Sequence, residues 1–490
     1  MALNQQNLPE IFRPGDPRWA SRAAKRGEIR RLARGLYTRN LDERPEQLIR
    51  RRWYDVAALY FPQAVIVDRS AFLAAPAEDG SLFLDVGREA KPRRVELPGL
   101  VLRPRNGPGP VEQDMPFVDL FMAGPARILL DNLRPSRARS GVSRTLRREE
   151  LEIHLDRIAS TRGEQALNEL RDAAREIAPQ LEAAEQLAEL DRLIGAILGT
   201  RDAELQAPAA RARRAGLPYD TNRLRLFEIL RGELARQHFA ERLAPPDPER
   251  LFAFFEAYFS NWIEGTEFEV EEAERIVFDG RVPPQRPADA HDIQGTFELI
   301  TDPAMRATPP RTSEELEHYL RRAHRTIMAG RPEGSPGEYK ETANRAGMTI
   351  FVRPELVRGT LSEGITIYRT LADGLPKAIF AMFLVAEVHP FADGNGRVAR
   401  VLMNAELSAA GLCRVIVPMS YRDEYLSALR SLSHNSNATA LWRIIDRAQR
   451  WASLIGWSER AGLTKLLEQT NALVPPEVAR ELNLHLLDPA

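Results

Sequence analysis

Apolar positions recur at helical spacing over most of the chain, and at strand-like alternation only within its first quarter. Pro17 to Lys25 reads as a helix, with Asp16 placed to cap it and Pro17 at its first position. Gly27 ends that run, and GEIRRLARGLYTR follows as a short strand pair. There Ile29, Leu32 and Leu36 face inward, and Arg30, Arg31 and Arg34 face outward. From Ala64 the runs AVIVD, SLFLDV, RRVEL and LVLRP predict short strands, interrupted by the turn-rich NGPGP at 106–110. Gly124 to Leu133 turns helical again. Residues 146 to about 240 predict packed helices broken at Pro179 and near Pro208 and Pro218, which argues against a continuous coiled-coil seam. APPDP at 244–248 marks a boundary. Beyond it the pattern predicts helices over Pro248–Glu264, Glu314–Ala329, Pro376–Val388, Gly396–Ala410 and Arg422–Leu432, with Thr312 and Glu315 as a capping box for the second.

Composition narrows the class. The 490 residues are 43% hydrophobic and 28% charged, as expected of a folded chain of about three domains and not of a disordered one. Cys413 is the only cysteine, which excludes an internal disulfide, and no Cys/His cluster suggests zinc. The longest apolar run, Ala378–Ala386, is far short of a membrane span, and the first residues lack a secretory pattern. No membrane association and a cytoplasmic location are therefore expected. The net charge of −1 hides an asymmetry: residues 1–54 carry 13 Lys+Arg against 6 Asp+Glu. That basic end is either a solvated surface or a contact for nucleic acid.

The stretch that carries chemistry is His389-Pro390-Phe391-Ala392-Asp393-Gly394-Asn395-Gly396-Arg397, followed by Arg400. Pro390 must end the apolar helix before it, and Gly396 opens the next one. A Gly-Asn-Gly turn thus delivers the chain into a helix N-terminus, where exposed N–H groups and the dipole favour phosphate oxygens. Arg397 and Arg400, one turn apart, add forks for the same anion. Asp393 is a hard oxygen ligand suited to Mg²⁺, and His389 can take a proton from a hydroxyl near neutral pH. Phe391 anchors the loop. A base, a metal ligand and an anion cradle describe phosphoryl or nucleotidyl transfer.

HPFADGNGR resembles the signature of Fic domains, a likeness that extends through RVLMNAEL, Gly411 and Tyr425–Leu429. It implies a mainly α fold, in which an α-helical core carries a β-hairpin flap, and transfer of AMP from ATP to a protein hydroxyl. By that resemblance His389 deprotonates the Ser, Thr or Tyr of a target protein, and Asp393 holds Mg²⁺. Gly394, Asn395 and Gly396 then cradle the phosphates, while Arg397 and Arg400 grip the phosphate chain. The flap candidate is Gly347–Val352, with Thr349, Ile350 and Phe351 registering the target by main-chain pairing. Many relatives place an Asn against the nucleotide after the Tyr–Leu helix; here the run is Ser431-Leu-Ser-His-Asn435, which leaves the base preference open.

The helix ending Ser260-Asn261-Trp262-Ile263-Glu264-Gly265 predicts one apolar stripe of Phe252, Phe255, Phe259, Trp262 and Ile263. Gly265 caps it, so Glu264 lies at a helix C-terminus, which disfavours a carboxylate by roughly 0.3–1 kcal/mol unless a cation such as Arg400 meets it. The stretch resembles the inhibitory motif of Fic proteins, with Ser260 and Glu264 at its ends and Glu264 set against Arg400. RGEIRRLARGLYTRN, AVIVDRSAFLAA and PARILLDNL resemble the abortive-infection type IV antitoxin family, which implies a winged helix able to contact DNA and an α/β domain. The expected organisation is a winged-helix-like segment at 1–60, an α/β domain at 61–145 and a helical connector at 146–246. An inhibitory helix and its following segment at 247–300, a catalytic core at 301–470 and a tail at 471–490 complete it. Two other functions stay open: a DNA-binding regulator that senses nucleotide through this core, and removal of AMP or transfer of another nucleotide-derived group. Homo-oligomerisation is left open as well.

Overall fold

The computed structural model describes residues 8–136, 141–244, 250–458 and 460–489. Pro248, the expected first residue of the inhibitory helix, lies outside them, as does most of the boundary run at 244–248. The chain divides into two compact units, Met1–Ala215 and Gly216–Ala490. The division falls inside the stretch 146–246 that the sequence suggests is a single connector. Its earlier helices share a core around Leu155, Ile177 and Leu193 with Leu129 and Leu130, whereas the helix after Gly216 buries Phe227 against Phe380 and Phe383.

The first unit begins with β1 (Ile11–Phe12), α1 (Pro17–Lys25), β2 (Arg30–Ala33) and β3 (Leu36–Thr38), in a sheet of order β1-β3-β2. Asp16 caps α1 by accepting the Arg18 amide. Ile29, Leu32 and Leu36 are buried as expected. Arg30 is a correction: its guanidinium turns back to donate to the carbonyls of Asn40 and Leu41. Helices α2 (Pro45–Arg51) and α3 (Trp53–Tyr60) follow the hairpin. Then come β4 (Val65–Ile66), α4 (Asp68–Leu73), β5 (Ser81–Asp85), β6 (Val95–Leu97), β7 (Leu100–Arg105), β8 (Met115–Phe117), β9 (Leu120–Met122) and α5 (Pro125–Asn132). The sheet order β6-β7-β5-β4-β9-β8 is mixed, with β5/β7 and β4/β9 parallel. One apolar core runs from Ile11 through Trp53 to Ala123, so residue 60 is not a seam. Helices α6 (Arg148–Arg162), α7 (Glu164–Leu181), α8 (Ala184–Ile197) and α9 (Pro208–Arg214) complete the unit. Helix α7 continues two residues past Pro179, whose place in the last turn costs little because the helix stops at Glu182.

The second unit is helical apart from one hairpin. Its elements are α10 (Thr221–Leu234), α11 (Arg250–Ile263), α12 (Val270–Asp279), α13 (Pro287–Thr301), α14 (Pro303–Arg306) and α15 (Ser313–Ile327). The hairpin β10 (Arg345–Ala346) and β11 (Thr349–Ile350) precedes α16 (Val357–Tyr368), α17 (Leu375–Val388) and α18 (Asn395–Ala409). Helices α19 (Arg422–Asn435), α20 (Thr439–Leu454), α21 (Leu463–Gln469) and α22 (Pro476–Glu481) close the chain. Helix α17 is buried nearly all round, which its sequence, IFAMFLVA, makes favourable. Helix α11 corrects the expected single stripe, because every residue from Phe252 to Ile263 is buried. Ala253, Ala257 and Ile263 face the core built on α17 and α18, while Phe252, Phe254, Phe255, Tyr258, Phe259 and Trp262 fill a second, aromatic core with Trp451 and Trp457. The end of α11 is therefore held rigidly. Leu486, in the expected tail, joins that aromatic core.

Candidate active site

The loop between α17 and α18 is shaped by its own side chains. His389 adopts a left-handed conformation at φ 53°, which turns the chain out of α17 before Pro390. The Asn395 side chain accepts the Phe391 amide at 2.9 Å and donates to the Phe391 carbonyl at 2.9 Å. It thus folds the loop from inside and starts α18 one residue before the expected Gly396. Phe391 is fully buried and stacks on His324, whose ring lies 3.8 Å away and nearly parallel. His324 Nδ1 accepts the Gly337 amide at 2.8 Å, so its Nε2–H donates to the Asp393 carbonyl at 3.1 Å. Burial holds that imidazole down to about 4 and neutral. His324 and Gly337 therefore brace the loop from outside, a role the sequence did not reveal.

The His389 imidazole is held uncharged. Its ring is mostly buried and lies 3.7 Å from the Phe351 ring, the planes 6° apart. Nδ1–H donates to the Ala386 carbonyl at 3.3 Å, which leaves the Nε2 lone pair available. Burial pushes the group down to about 4; nearby Lys340 acts the same way, and the Ala386 carbonyl, Glu264 and Asp393 oppose them. Lys340, on the loop before the flap, is itself lowered to about 7, by burial first and by Arg223 second. Its ammonium donates to Asn344 Oδ1 at 2.7 Å, and Asn344 Nδ2 donates to the Phe391 carbonyl at 2.9 Å.

The mouth of α18 already holds a carboxylate. Gly394 caps the helix at φ 75°, and a Cβ at Gly396 would stand 2.1 Å from Glu264 Oε1. Glycine at 396 is what lets the Glu264 carboxylate lie over the first turn of α18, where helix N–H groups favour an anion. That placement offsets the unfavourable end of α11 from which Glu264 projects. Glu264 Oε1 is also 2.8 Å from Arg400 Nη2, which further donates to the Ser260 carbonyl at 2.7 Å, while Nε donates to Ser260 Oγ at 2.9 Å. Burial opposes the Arg400 charge and Glu264 restores it. Arg400 is buried, whereas the Glu264 side chain is 29% exposed.

Arg397 is held differently from the expected free fork. Its Nη1 lies 2.7 Å from Asp292 Oδ2 on α13, and its Nη2 lies 3.3 Å from Met328 Sδ. Asp292 also pairs with Arg331 at 3.0 Å. A buried acidic residue between the apolar Ala290 and Ile293 is the signal that could have revealed this partner. Asp393 is 68% exposed on its side chain. One exposed carboxylate beside an anion seat suits Mg²⁺, which keeps waters and takes phosphate oxygens, and no cluster of three metal-binding side chains exists among the described residues. Thr349 is buried with Oγ1 2.8 Å from His434 Nε2, whereas Ile350 is exposed.

The model of the Fic/DOC family matches residues 315–407, the stretch from α15 to the end of α18. A protein adenylyltransferase fic-1 of Caenorhabditis briggsae is 27% identical over 256 residues, 50% of this chain and 49% of that protein. The chain therefore spans about half the length of that relative. A Fido domain-containing protein of Dictyostelium discoideum is 38% identical over 101 residues, 20% of this chain and 71% of that one. Among solved structures, Fic-1 of C. elegans overlaps 62% of this chain and 94% of its own at 19% identity and a TM-score of 0.35. No helix among the described residues is long and apolar enough to cross a membrane. With a signature loop, a family match centred on it and a relative covered over most of its length, the chain belongs to the Fic/DOC family of Fido-domain proteins.

Proposed function

We propose that the protein transfers AMP from ATP to a hydroxyl of a target protein, and that the described arrangement is its restrained state. The observation that carries this reading is a neutral imidazole with a free Nε2 beside a helix N-terminus whose anion seat is taken by the chain's own Glu264. In the reaction the target oxygen bonds to the α-phosphorus of ATP as the bond to pyrophosphate breaks. The hydroxyl proton passes to His389 Nε2, and pyrophosphate carries away the electron pair. The N–H groups at Gly394–Gly396 and the Arg400 guanidinium hold phosphate oxygens; Arg397, tied to Asp292, chiefly holds α18 in place and lends its charge. Asp393 would hold Mg²⁺, which neutralises phosphate charge when bound. Glu264, competing for the seat and for Arg400, disfavours productive placement of the terminal phosphate.

The experiment is incubation of purified protein with Mg²⁺ and ATP labelled at the α-phosphate, read as label retained on protein. Glu264→Gly is expected to raise labelling about tenfold or more over wild type, and His389→Ala in that background to remove it, a fall of roughly 10²–10⁴ for loss of a general base. Equal labelling of wild type and Glu264→Gly contradicts the restraint.

A second activity, contact of the N-terminal region with nucleic acid, is supported by α1 and the hairpin after it. Arg18, Arg22 and Lys25 on α1 and Arg34 on the hairpin are exposed, and none pairs with a carboxylate among the described residues; Arg26 and Arg51 do. A mobility shift of the full chain is expected to weaken with salt and with Arg22→Glu. Retardation unaffected by both contradicts it.

A further inference from the structure

Beyond the anion seat, one side chain ties the outer edge of the flap to the base-bearing helix. Ala346 and Thr349 flank the two-residue turn Gly347-Met348 and pair directly across it. In such a hairpin that pair shares the ladder bonds, so the N–H and C=O of Ile350, one step on, point to the free edge. The next amide, Phe351, turns back to the Asn344 carbonyl at 3.2 Å. The outward Ile350 carbonyl accepts a hydrogen bond from Arg223 Nη2 on α10. The other arm of the same guanidinium, Nη1, lies 2.8 Å from Glu387 Oε1. Glu387 is buried on α17, two residues before His389, and its second oxygen accepts Ser433 Oγ–H at 2.5 Å.

We propose that Arg223 is a positioning residue for the transfer: it sets the free edge of the flap at a fixed height over the end of α17, and so sets where a target hydroxyl arrives relative to His389 Nε2. The inference rests on the reading of β11 as the strand that registers the target. A planar fork suits the task because each arm serves one acceptor, which a lysine ammonium on a flexible stem does less well. Glu387 keeps Arg223 from leaving, since a buried carboxylate without its cation is costly. The nucleotide seat is built from α11 and α18 instead. A flap displaced by about 1 Å should therefore slow transfer to a protein hydroxyl while nucleotide still binds.

The test uses the full chain carrying Glu264→Gly, so that transfer to its own hydroxyls is measurable, with Arg223→Lys or Glu387→Gln added. Each addition is expected to lower protein-bound label about tenfold, with binding of a fluorescent ATP analogue in Mg²⁺ unchanged within about twofold. The variant carrying both additions is expected to be no lower than the worse single one, because both cut the same link. Undiminished labelling, or a parallel loss of nucleotide binding, overturns the role of Arg223. If Glu264→Gly binds nucleotide and takes no label even with Arg223 intact, the transfer reading itself fails and this inference falls with it.

Discussion

Two arginines, one in each unit, are buried against carboxylates and differ in one respect. Arg127 in the first unit is fully buried, with Nη2 2.6 Å from Asp85, Nε 3.3 Å from Asp131, Asp114 beside Nη1, and the Gly109 carbonyl taking a further hydrogen bond at 2.8 Å. The three carboxylates around it are as buried as it is. The NGPGP turn wraps this cluster, and a Cβ at Gly107 would collide with the Asp85 carboxylate at 2.1 Å. Arg400 in the second unit meets a single carboxylate, Glu264, which is partly exposed and comes from a helix end. The first arrangement is closed, and removing any member strands charge. The second is open on one side, and on the proposed reading another anion takes the place of Glu264 without leaving Arg400 unpaired. Replaceability of the partner, more than the presence of a buried pair, separates a site from a scaffold.

The largest effect that sharpens this contrast is on stability. Arg127→Met is expected to destabilise the first unit by about 3–5 kcal/mol, because buried Asp114 loses its cation while Asp85 and Asp131 each lose one of theirs. Glu264→Gly should shift the second unit by about 1 kcal/mol or less. Urea denaturation followed by hydrogen exchange in each unit reads both, and comparable losses in the two variants break the distinction.

A smaller effect concerns pH. His324 is held near 4 in the folded chain against an ordinary value of 6.5, so between those values the unfolded chain binds more protons. Its contribution is complete above pH 6.5 and is lost as pH falls toward 4. The fall in stability between pH 7 and 5 should be about 2 kcal/mol greater for wild type than for His324→Gln. Equal slopes would mean that His324 does not brace the loop as a neutral ring.

The parts of the fold that sequence made legible are those written locally. Asp16 and Pro17 announce α1, Thr312 and Glu315 announce α15, and HPFADGNGR announces a loop into a helix with both arginines one turn on. A carboxylate at a helix C-terminus calls for a cation without naming it, and Arg400 as the partner of Glu264 was legible only through the resemblance to the Fic inhibitory motif. What stayed hidden depends on contacts far apart in the chain. Asp292 lies more than a hundred residues from Arg397, and Arg223 lies farther still from Ile350. The stacking of Phe351 on His389 arises only when the flap folds over α17. Likewise β8 and β9 are three residues each, too short for alternation to register. Helix α11 misled for another reason: periodicity marks one apolar face, and a helix clasped between two cores has no polar face to mark.

On the proposed reading, Glu264 stands where a nucleotide phosphate belongs. A crystal structure of Glu264→Gly with Mg²⁺ and a non-hydrolysable ATP analogue tests it most directly. A terminal phosphate is expected over the first turn of α18, within hydrogen-bond reach of Arg400 and in the space the carboxylate vacates. Nucleotide bound elsewhere, with the mouth of α18 filled by other side chains, would contradict it.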